Sequence, residues 1–214
     1  MIRLCAQCGV NELHGRADQV TCGRVCRQAR ARFRREIASR SRAIAPMRLG
    51  FGDPPYPDKA FLYRDHPDYG GEVDHRELVS RLQGYDGWAL ATDEPGLRSI
   101  QPYLVGVEHQ IAVWVRGARP GVSRGPASSW EAVVYRPARS EPSRSPAVDS
   151  LVYTARARTT DPHRVIGAKP AAYWSWVFAL LGAAPGDHFD DLYPGSGGGR
   201  LAWMAFEEKA HEAR

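Results

Sequence analysis

From residue 43 onward, short apolar segments that suit β-strands alternate with segments of helical periodicity. The predicted strands cover 43–52, 88–92, 109–116, 130–136 and 188–193, and the predicted helices cover 74–82, 95–103, 168–183 and 200–212. Such alternation favours an α/β sheet that is covered on both faces. The longest mostly apolar stretch, 171–184, is too short to span a membrane, so we expect a cytoplasmic protein with no membrane partner.

The first predicted strand runs into Asp53-Pro54-Pro55-Tyr56. Two consecutive prolines cannot continue a central strand, so the strand should end here, at the edge where open α/β sheets bind ligands. The Asp53 carboxylate and the Pro54 carbonyl are two hydrogen-bond acceptors, and Tyr56 offers a flat stacking face. This set suits a planar heterocycle with an exocyclic amino group, because two acceptors localise the nitrogen lone pair toward an electrophile. A proline turn that merely ends a strand explains the same residues equally well.

The last predicted strand runs into a glycine loop, Asp191-Leu-Tyr-Pro-Gly195-Ser196-Gly197. Gly195 and Gly197 permit a tight turn and close approach of the backbone to a ligand. The loop lacks the Lys-Ser/Thr ending of a phosphate loop, and Arg200 breaks the full G-x-G-x-x-G pattern. ATP and dinucleotides are therefore disfavoured, and the loop alone does not identify a ligand.

Taken together, the two loops resemble the S-adenosylmethionine (SAM)-dependent DNA amino-methyltransferases, in the branch whose permuted order puts the catalytic strand before the cofactor motif. In that family three motifs follow the catalytic strand in a fixed order. They are a Lys-Pro at a helix start, a Gly-Asp and a D-x-F-x-G-S-G loop. Here they read Lys169-Pro170, Gly186-Asp187 and 191–197. The resemblance covers residues 43–206, and the DPPY form is closer to the adenine-N6 subgroup than to the cytosine-N4 subgroup.

The resemblance implies a role for each matched residue. It implies that Asp53, Pro54 and Tyr56 bind the target amine. It also implies that five residues contact SAM: Lys169, Asp191, Gly195, Ser196 and Gly197. Family members continue past the glycine loop with two more strands, whereas this sequence reaches Arg214 after one helix. We therefore expect an abbreviated Rossmann-like methyltransferase sheet of about five strands, with the strands of the two loops adjacent at its centre. We also expect either a homodimer or a partner protein that completes the sheet.

All four cysteines lie within 22 residues, as Cys5, Cys8, Cys22 and Cys26. The spacing C-x2-C, 13 residues, C-x3-C lets two thiolate pairs converge on one tetrahedral, structural zinc ion. Two disulfides, or four unrelated thiols, are the alternatives, but the N-terminus lacks an apolar signal-peptide core, which favours a reducing compartment over disulfides. The pattern CAQCG…TCGRVCRQARARFRR also resembles the small zinc-binding modules of actinobacterial and phage DNA-associated proteins.

Positive charge is concentrated near the N-terminus. Residues 1–48 carry 11 arginines and three acidic residues, whereas the rest of the chain has more acidic than basic residues. The helical pattern after Cys26 places Arg27, Arg30 and Arg34 on one face, where they could lie against phosphates. A basic helix that only supports the zinc module is the alternative. We therefore divide the chain into 1–42, a zinc module with an Arg-rich helix, and 43–214, a methyltransferase-like domain.

The combined hypothesis is a DNA methyltransferase that uses SAM to methylate the exocyclic amino group of a flipped base, with adenine N6 as the favoured target. A non-catalytic DNA-binding protein that retains a shortened methyltransferase scaffold is the alternative from another functional class. An RNA methyltransferase is compatible with the same two motifs. A measurement of SAM binding would distinguish the enzyme hypothesis from the non-catalytic scaffold.

Overall fold

The computed structural model describes residues 19, 23–41, 45–65, 69–117, 126–139, 147–153 and 168–212. These residues form two compact units. One unit takes in helix α1 (Arg24–Ser41), residues 184–186 and the chain from 207 onward, and the other takes in all six strands of the described residues. No helix in these ranges is both long enough and apolar enough to cross a bilayer.

The strands form one mixed sheet in the order β5-β3-β4-β2-β1-β6. Their bounds are β1 Arg48–Gly52, β2 Gly87–Thr92, β3 Gln110–Val115, β4 Trp130–Arg136, β5 Ser150–Val152 and β6 His188–Asp191. Strand β1 pairs in parallel with β2 and β6, β4 pairs antiparallel with β2 and β3, and β5 is parallel to β3. The predicted α/β sheet is confirmed.

Four further helices accompany α1 in the described chain: α2 His75–Leu82, α3 Glu94–Ile100, α4 Ala171–Leu180 and α5 Gly198–His211. Short 3-10 helices cover Ala60–Tyr63 and Gln101–Leu104. The predicted start of α2 is confirmed, because the carboxylate of Asp74 accepts hydrogen bonds from the backbone N–H groups of Arg76 at 2.9 Å and Glu77 at 3.0 Å. These bonds satisfy donors that have no partner within the helix.

Strand β2 shows why the sheet is covered on both faces, since all six of its residues are buried. Successive side chains of a strand point to opposite faces. Trp88 and Leu90 accordingly pack in the cluster that contains the apolar side of α2, whereas Ala89 and Ala91 pack in the cluster that contains the aromatic residues of α4. The sheet therefore separates two cores, which confirms the predicted covering of both faces.

Two details of the observed sheet differ from the expected one. The expected count of about five strands becomes six in the described chain, because Ser150–Val152 pairs with β3 as a short strand for which no strand was predicted. Strand β6 does lie next to β1, but it ends the sheet rather than lying at its centre. The described residues provide no strand on its outer side.

The zinc prediction falls largely outside the described residues, because Cys5, Cys8 and Cys22 are not among them. Within the described ranges, no group of three or more His, Cys, Asp or Glu side chains could hold a metal ion. Helix α1 does form where the arginine-rich helix was predicted, and its Arg30 lies 3.5 Å from the carboxylate of Glu212. The zinc module and the division at residue 42 stay predictions.

We expect Gly87→Ala to lower the free energy of unfolding by about 1–3 kcal/mol. A Cβ atom at this position would lie 2.5 Å from the backbone nitrogen of Ala138. That nitrogen donates to the carbonyl of Leu181 at 3.0 Å, so the collision cannot be relieved without disturbing a hydrogen bond. Urea unfolding measures the loss. Gly70→Ala is the control, because its Cβ would meet nothing within 4 Å, and an equal midpoint for the two variants would contradict the prediction.

Candidate active site

The carboxyl ends of the parallel neighbours β1 and β6 open into a cavity of about 810 Å³. The turn after β1 contributes Asp53, and the loop after β6 contributes residues 191–196. Lys169, which precedes α4, and the buried Trp174 of α4 also line the cavity, and residues 62, 63, 65 and 69–73 contribute most of the rest of the wall. The volume lies within the usual range of about 300–1,000 Å³ for small-molecule sites.

The structure brings most of the predicted site residues to this cavity. Its lining includes five of them: Asp53, Lys169, Asp191, Gly195 and Ser196. Pro54 is buried, Tyr56 is half-buried, and neither belongs to the lining. Gly197 also lies outside the lining, one residue beyond Ser196. Sequence positions more than a hundred residues apart thus meet at one place in the fold.

Asp53 and Lys169, both in the lining of the cavity, form an ion pair. The Lys169 Nζ atom lies 3.0 Å from Oδ1 and 2.9 Å from Oδ2 of Asp53. The exposed fractions of the two side chains are 20% for Asp53 and 5% for Lys169. Burial raises the pKa of Asp53, and the ammonium of Lys169 opposes that shift. Burial alone would lower the pKa of Lys169, but the carboxylates of Asp53 and Glu131 outweigh it and raise that pKa.

Glu131, near the start of β4, is a site residue that the sequence analysis missed. Its Oε2 atom lies 3.3 Å from Lys169 Nζ and accepts a hydrogen bond of 2.8 Å from the Tyr56 hydroxyl. Its Oε1 atom accepts a hydrogen bond of 2.9 Å from Arg116 Nε. The available signal was a glutamate within the apolar strand WEAVVYR, together with an arginine at the end of the preceding predicted strand.

Aromatic rings surround the Lys169 ammonium. The ring centroids lie 5.9 Å away for Tyr56, 5.8 Å for Trp114 and 5.7 Å for Tyr173, within the range of cation–π attraction. The hydroxyl of Tyr173 is buried and has no hydrogen-bond partner among the described residues. Burial, reinforced by the carboxylates of Asp53 and Glu131, raises the pKa of both tyrosines, Tyr56 and Tyr173, well above the usual value. Both hydroxyls therefore stay protonated at physiological pH.

Asp191, the last residue of β6, places a half-buried carboxylate in the lining of the cavity. Burial raises its pKa to about 6, although a hydrogen bond of 3.3 Å from the backbone N–H of Tyr193 opposes the shift. A Cβ atom at Gly199 would lie 2.4 Å from Asp191 Oδ2, so the first turn of α5 approaches this carboxylate only because residue 199 has no side chain. Gly195 and Gly197 adopt φ values of +45° and +72°, which glycine allows without strain.

No protein-family model matches the chain, and no curated protein matches it at a significant level. Among solved structures, the chain is similar to the crystal structure of the M1.HpyAVI–SAM complex, with a TM-score of 0.50 and 14% sequence identity. The similarity covers 86% of this chain and 96% of that chain. At this identity the similarity shows the fold, and the six-stranded α/β sheet is methyltransferase-like.

Proposed function

We propose that this chain transfers a methyl group from SAM to the exocyclic amino group of a DNA base, with adenine N6 as the favoured acceptor. The observation that carries the proposal is the single cavity that the Asp53 turn and the glycine loop share. A cavity at the carboxyl ends of adjacent parallel strands is where open α/β sheets bind ligands. The fold is similar to that of M1.HpyAVI, whose crystal structure is a complex with SAM.

The residues at the Asp191 side of the cavity fit a zwitterionic ligand such as SAM. A half-buried carboxylate whose pKa is raised by burial gains by binding a cation, and SAM carries an α-ammonium group. The indole N–H of Trp174 is buried without a partner among the described residues, close to the start of α5. SAM supplies an electrophilic methyl group, and its transfer to an amino nitrogen forms an N–C bond, breaks an S–C bond, leaves the bonding pair on sulfur and frees one proton.

The residues at the Asp53 side fit the target amine. Asp53 already accepts a hydrogen bond from Lys169 Nζ at Oδ1, and the same nitrogen lies 2.9 Å from Oδ2. An amino group bound at the same carboxylate would have its hydrogens held and its lone pair directed into the cavity. Pro55, on the cavity wall, stiffens the turn that carries Asp53, and the bond to Glu131 fixes the Tyr56 ring beside it. The chain thus contributes mainly positioning of the two reactants.

We also propose that the arginine-rich helix α1 contacts DNA phosphates. Arg27 is exposed on the described part of this helix, whereas Arg30 is paired with Glu212 and the side chain of Arg34 lies outside the described residues. Phosphate contacts make affinity fall with rising salt. In this proposal the target base leaves the helical stack to reach Asp53.

Two measurements test the proposed function. Titration calorimetry with SAM should show one site per chain, and labelled methyl from SAM should enter duplex DNA in an amine position. A protein that binds SAM but methylates RNA alone would support the RNA alternative. A protein that binds DNA and shows no SAM binding would support the non-catalytic scaffold and overturn the enzyme proposal.

For the cysteine cluster we propose one structural zinc ion held by Cys5, Cys8, Cys22 and Cys26. Purified protein should contain about one zinc per chain by elemental analysis, because a four-thiolate site binds zinc tightly at neutral pH. Cys26→Ser should lower the zinc content at least several-fold and leave SAM binding within two-fold of wild type. Zinc-free protein whose four cysteines form two disulfides would contradict the prediction.

A further inference from the structure

Lys169 raises a difficulty for the proposed reaction. Its ammonium contacts both oxygens of Asp53, and these are the acceptors that the target amine would need. When an amino group binds at Asp53, Lys169 must keep a negative partner elsewhere, since an uncompensated buried ion is strongly destabilising. The exposed fraction of the Lys169 side chain is 5%, so water alone cannot replace that partner.

Glu131 is placed to be the second partner. Its Oε2 atom lies 3.3 Å from Lys169 Nζ, slightly farther than the two oxygens of Asp53. It is as deeply buried as Lys169, and Arg116 and the Tyr56 hydroxyl hold its two oxygens from different sides. The carboxylate therefore stays in place when the ammonium shifts toward it.

The charges of the cluster also permit the exchange. Asp53 and Glu131 carry two negative charges, and Lys169 and Arg116 carry two positive charges. A neutral amino group that binds at Asp53 leaves this total unchanged, and Lys169 remains paired with Glu131. The Lys169 ammonium needs only to move from Asp53 toward Glu131, a carboxylate that it already contacts.

We infer that Glu131 is a positioning residue that holds the Lys169 ammonium away from Asp53 while the target amino group binds there. The same Oε2 atom accepts a hydrogen bond from the Tyr56 hydroxyl. Glu131 would therefore fix the position of the Tyr56 ring and of the displaced Lys169 ammonium together. The inference rests on the proposed function, because it assigns to Asp53 the target amine. It also predicts that Glu131 can hold the Lys169 ammonium without Asp53, and this can be tested without measuring catalysis.

Nuclear magnetic resonance can observe this ammonium directly, because the sequence contains three lysines, Lys59, Lys169 and Lys209. In protein labelled with ¹⁵N-lysine, buried and paired Lys169 should give a slowly exchanging Nζ signal. Asp53→Asn imitates a carboxylate that no longer binds the lysine, and the signal should persist because Glu131 takes the ammonium. Asp53→Asn combined with Glu131→Gln should abolish it. Loss of the signal in Asp53→Asn alone, or its survival in the double variant, would overturn the inference.

A kinetic comparison tests the consequence for the reaction. Glu131→Gln should lower kcat at least about 10-fold, while the KM for DNA and the Kd for SAM stay within two-fold of wild type. Glu94→Gln is the matched control, since Glu94 pairs with Arg98 on the surface of α3 and should keep full activity. Unchanged kcat in Glu131→Gln, or a weakening of SAM binding as large as the loss in kcat, would overturn the inference.

The two tests separate the inference from the function on which it rests. A wild-type protein that methylates no nucleic acid would contradict the proposed function. The nitrogen signal of Lys169 would still decide whether Glu131 holds the ammonium when Asp53 is neutral.

Discussion

Asp53→Asn is expected to lower kcat for methyl transfer by roughly 10²–10³-fold and to leave SAM binding within a few-fold of wild type. The substitution removes the negative charge, and replaces one of the two acceptor oxygens by an N–H donor, at the place where the target amine is proposed to bind. The fold should tolerate it, because Glu131 lies 3.3 Å from Lys169 and remains as a partner. Methyl incorporation under saturating SAM, together with calorimetry, measures both quantities.

Asp58→Asn is the control for this variant. Asp58 is exposed in the same segment and has a φ of +61°, a conformation that asparagine accepts readily. It should therefore keep wild-type activity and stability. If Asp53→Asn retained more than a tenth of wild-type kcat, or lost SAM affinity in proportion to kcat, Asp53 would not be the acceptor for the amine.

Asp191→Asn is expected to weaken SAM binding by about 10–100-fold, the effect of removing a charge-assisted hydrogen bond. Because burial raises the pKa of Asp191 to about 6, wild-type affinity should itself fall as the pH drops below that value. The asparagine variant should bind weakly at every pH. Calorimetry between pH 5 and 8 checks both statements.

The same substitution should stabilise the ligand-free protein. The folded pKa of Asp191 lies above its ordinary value of 3.8, so the folded state binds more protons than the unfolded state between those values. This group therefore lowers stability as the pH rises from about 4 to 6. The full shift of about two units corresponds to about 3 kcal/mol, and solvent screening at a half-buried site reduces it to about 1–2 kcal/mol.

Urea unfolding of wild type and Asp191→Asn at pH 4 and pH 8 checks this stabilisation. The advantage of the variant should be small at pH 4 and close to its maximum at pH 8. Asp190→Asn is the control on the same strand, because Asp190 is half exposed at the surface and 3.7 Å from Arg48. A stability difference that did not grow with pH would show that Asp191 is not destabilised by burial.

Local patterns predicted much of the fold. The apolar runs gave β2 and β4 within one residue, and Asp74 marked the start of α2 through its capping hydrogen bonds. These features depend on residues close together in the chain, so periodicity and capping rules reach them. The DPPY turn and the glycine loop were found from short motifs, and the adjacency of their strands followed from the family resemblance.

Contacts distant in sequence could not be predicted in this way. The pair of Asp53 and Lys169 joins residues 116 positions apart, and no local pattern reports such a pairing. Glu131 was overlooked because a glutamate in a strand ordinarily indicates a solvent-facing position, whereas this one is neutralised inside the sheet by Lys169 and Arg116. Strand β5 was missed because three residues are too few for a periodic signal.

The end position of β6 in the described sheet has a consequence for the ligand loop that follows it. Only four residue pairs with β1 hold this strand in the ladder, and its last residue is Asp191. Segments tied to a sheet from one side open more readily than segments tied from both sides. We therefore expect the rim that carries Asp191 and Gly195 to open at a lower free-energy cost than the rim that carries Asp53, and a ligand that contacts both rims to stabilise the less stable one.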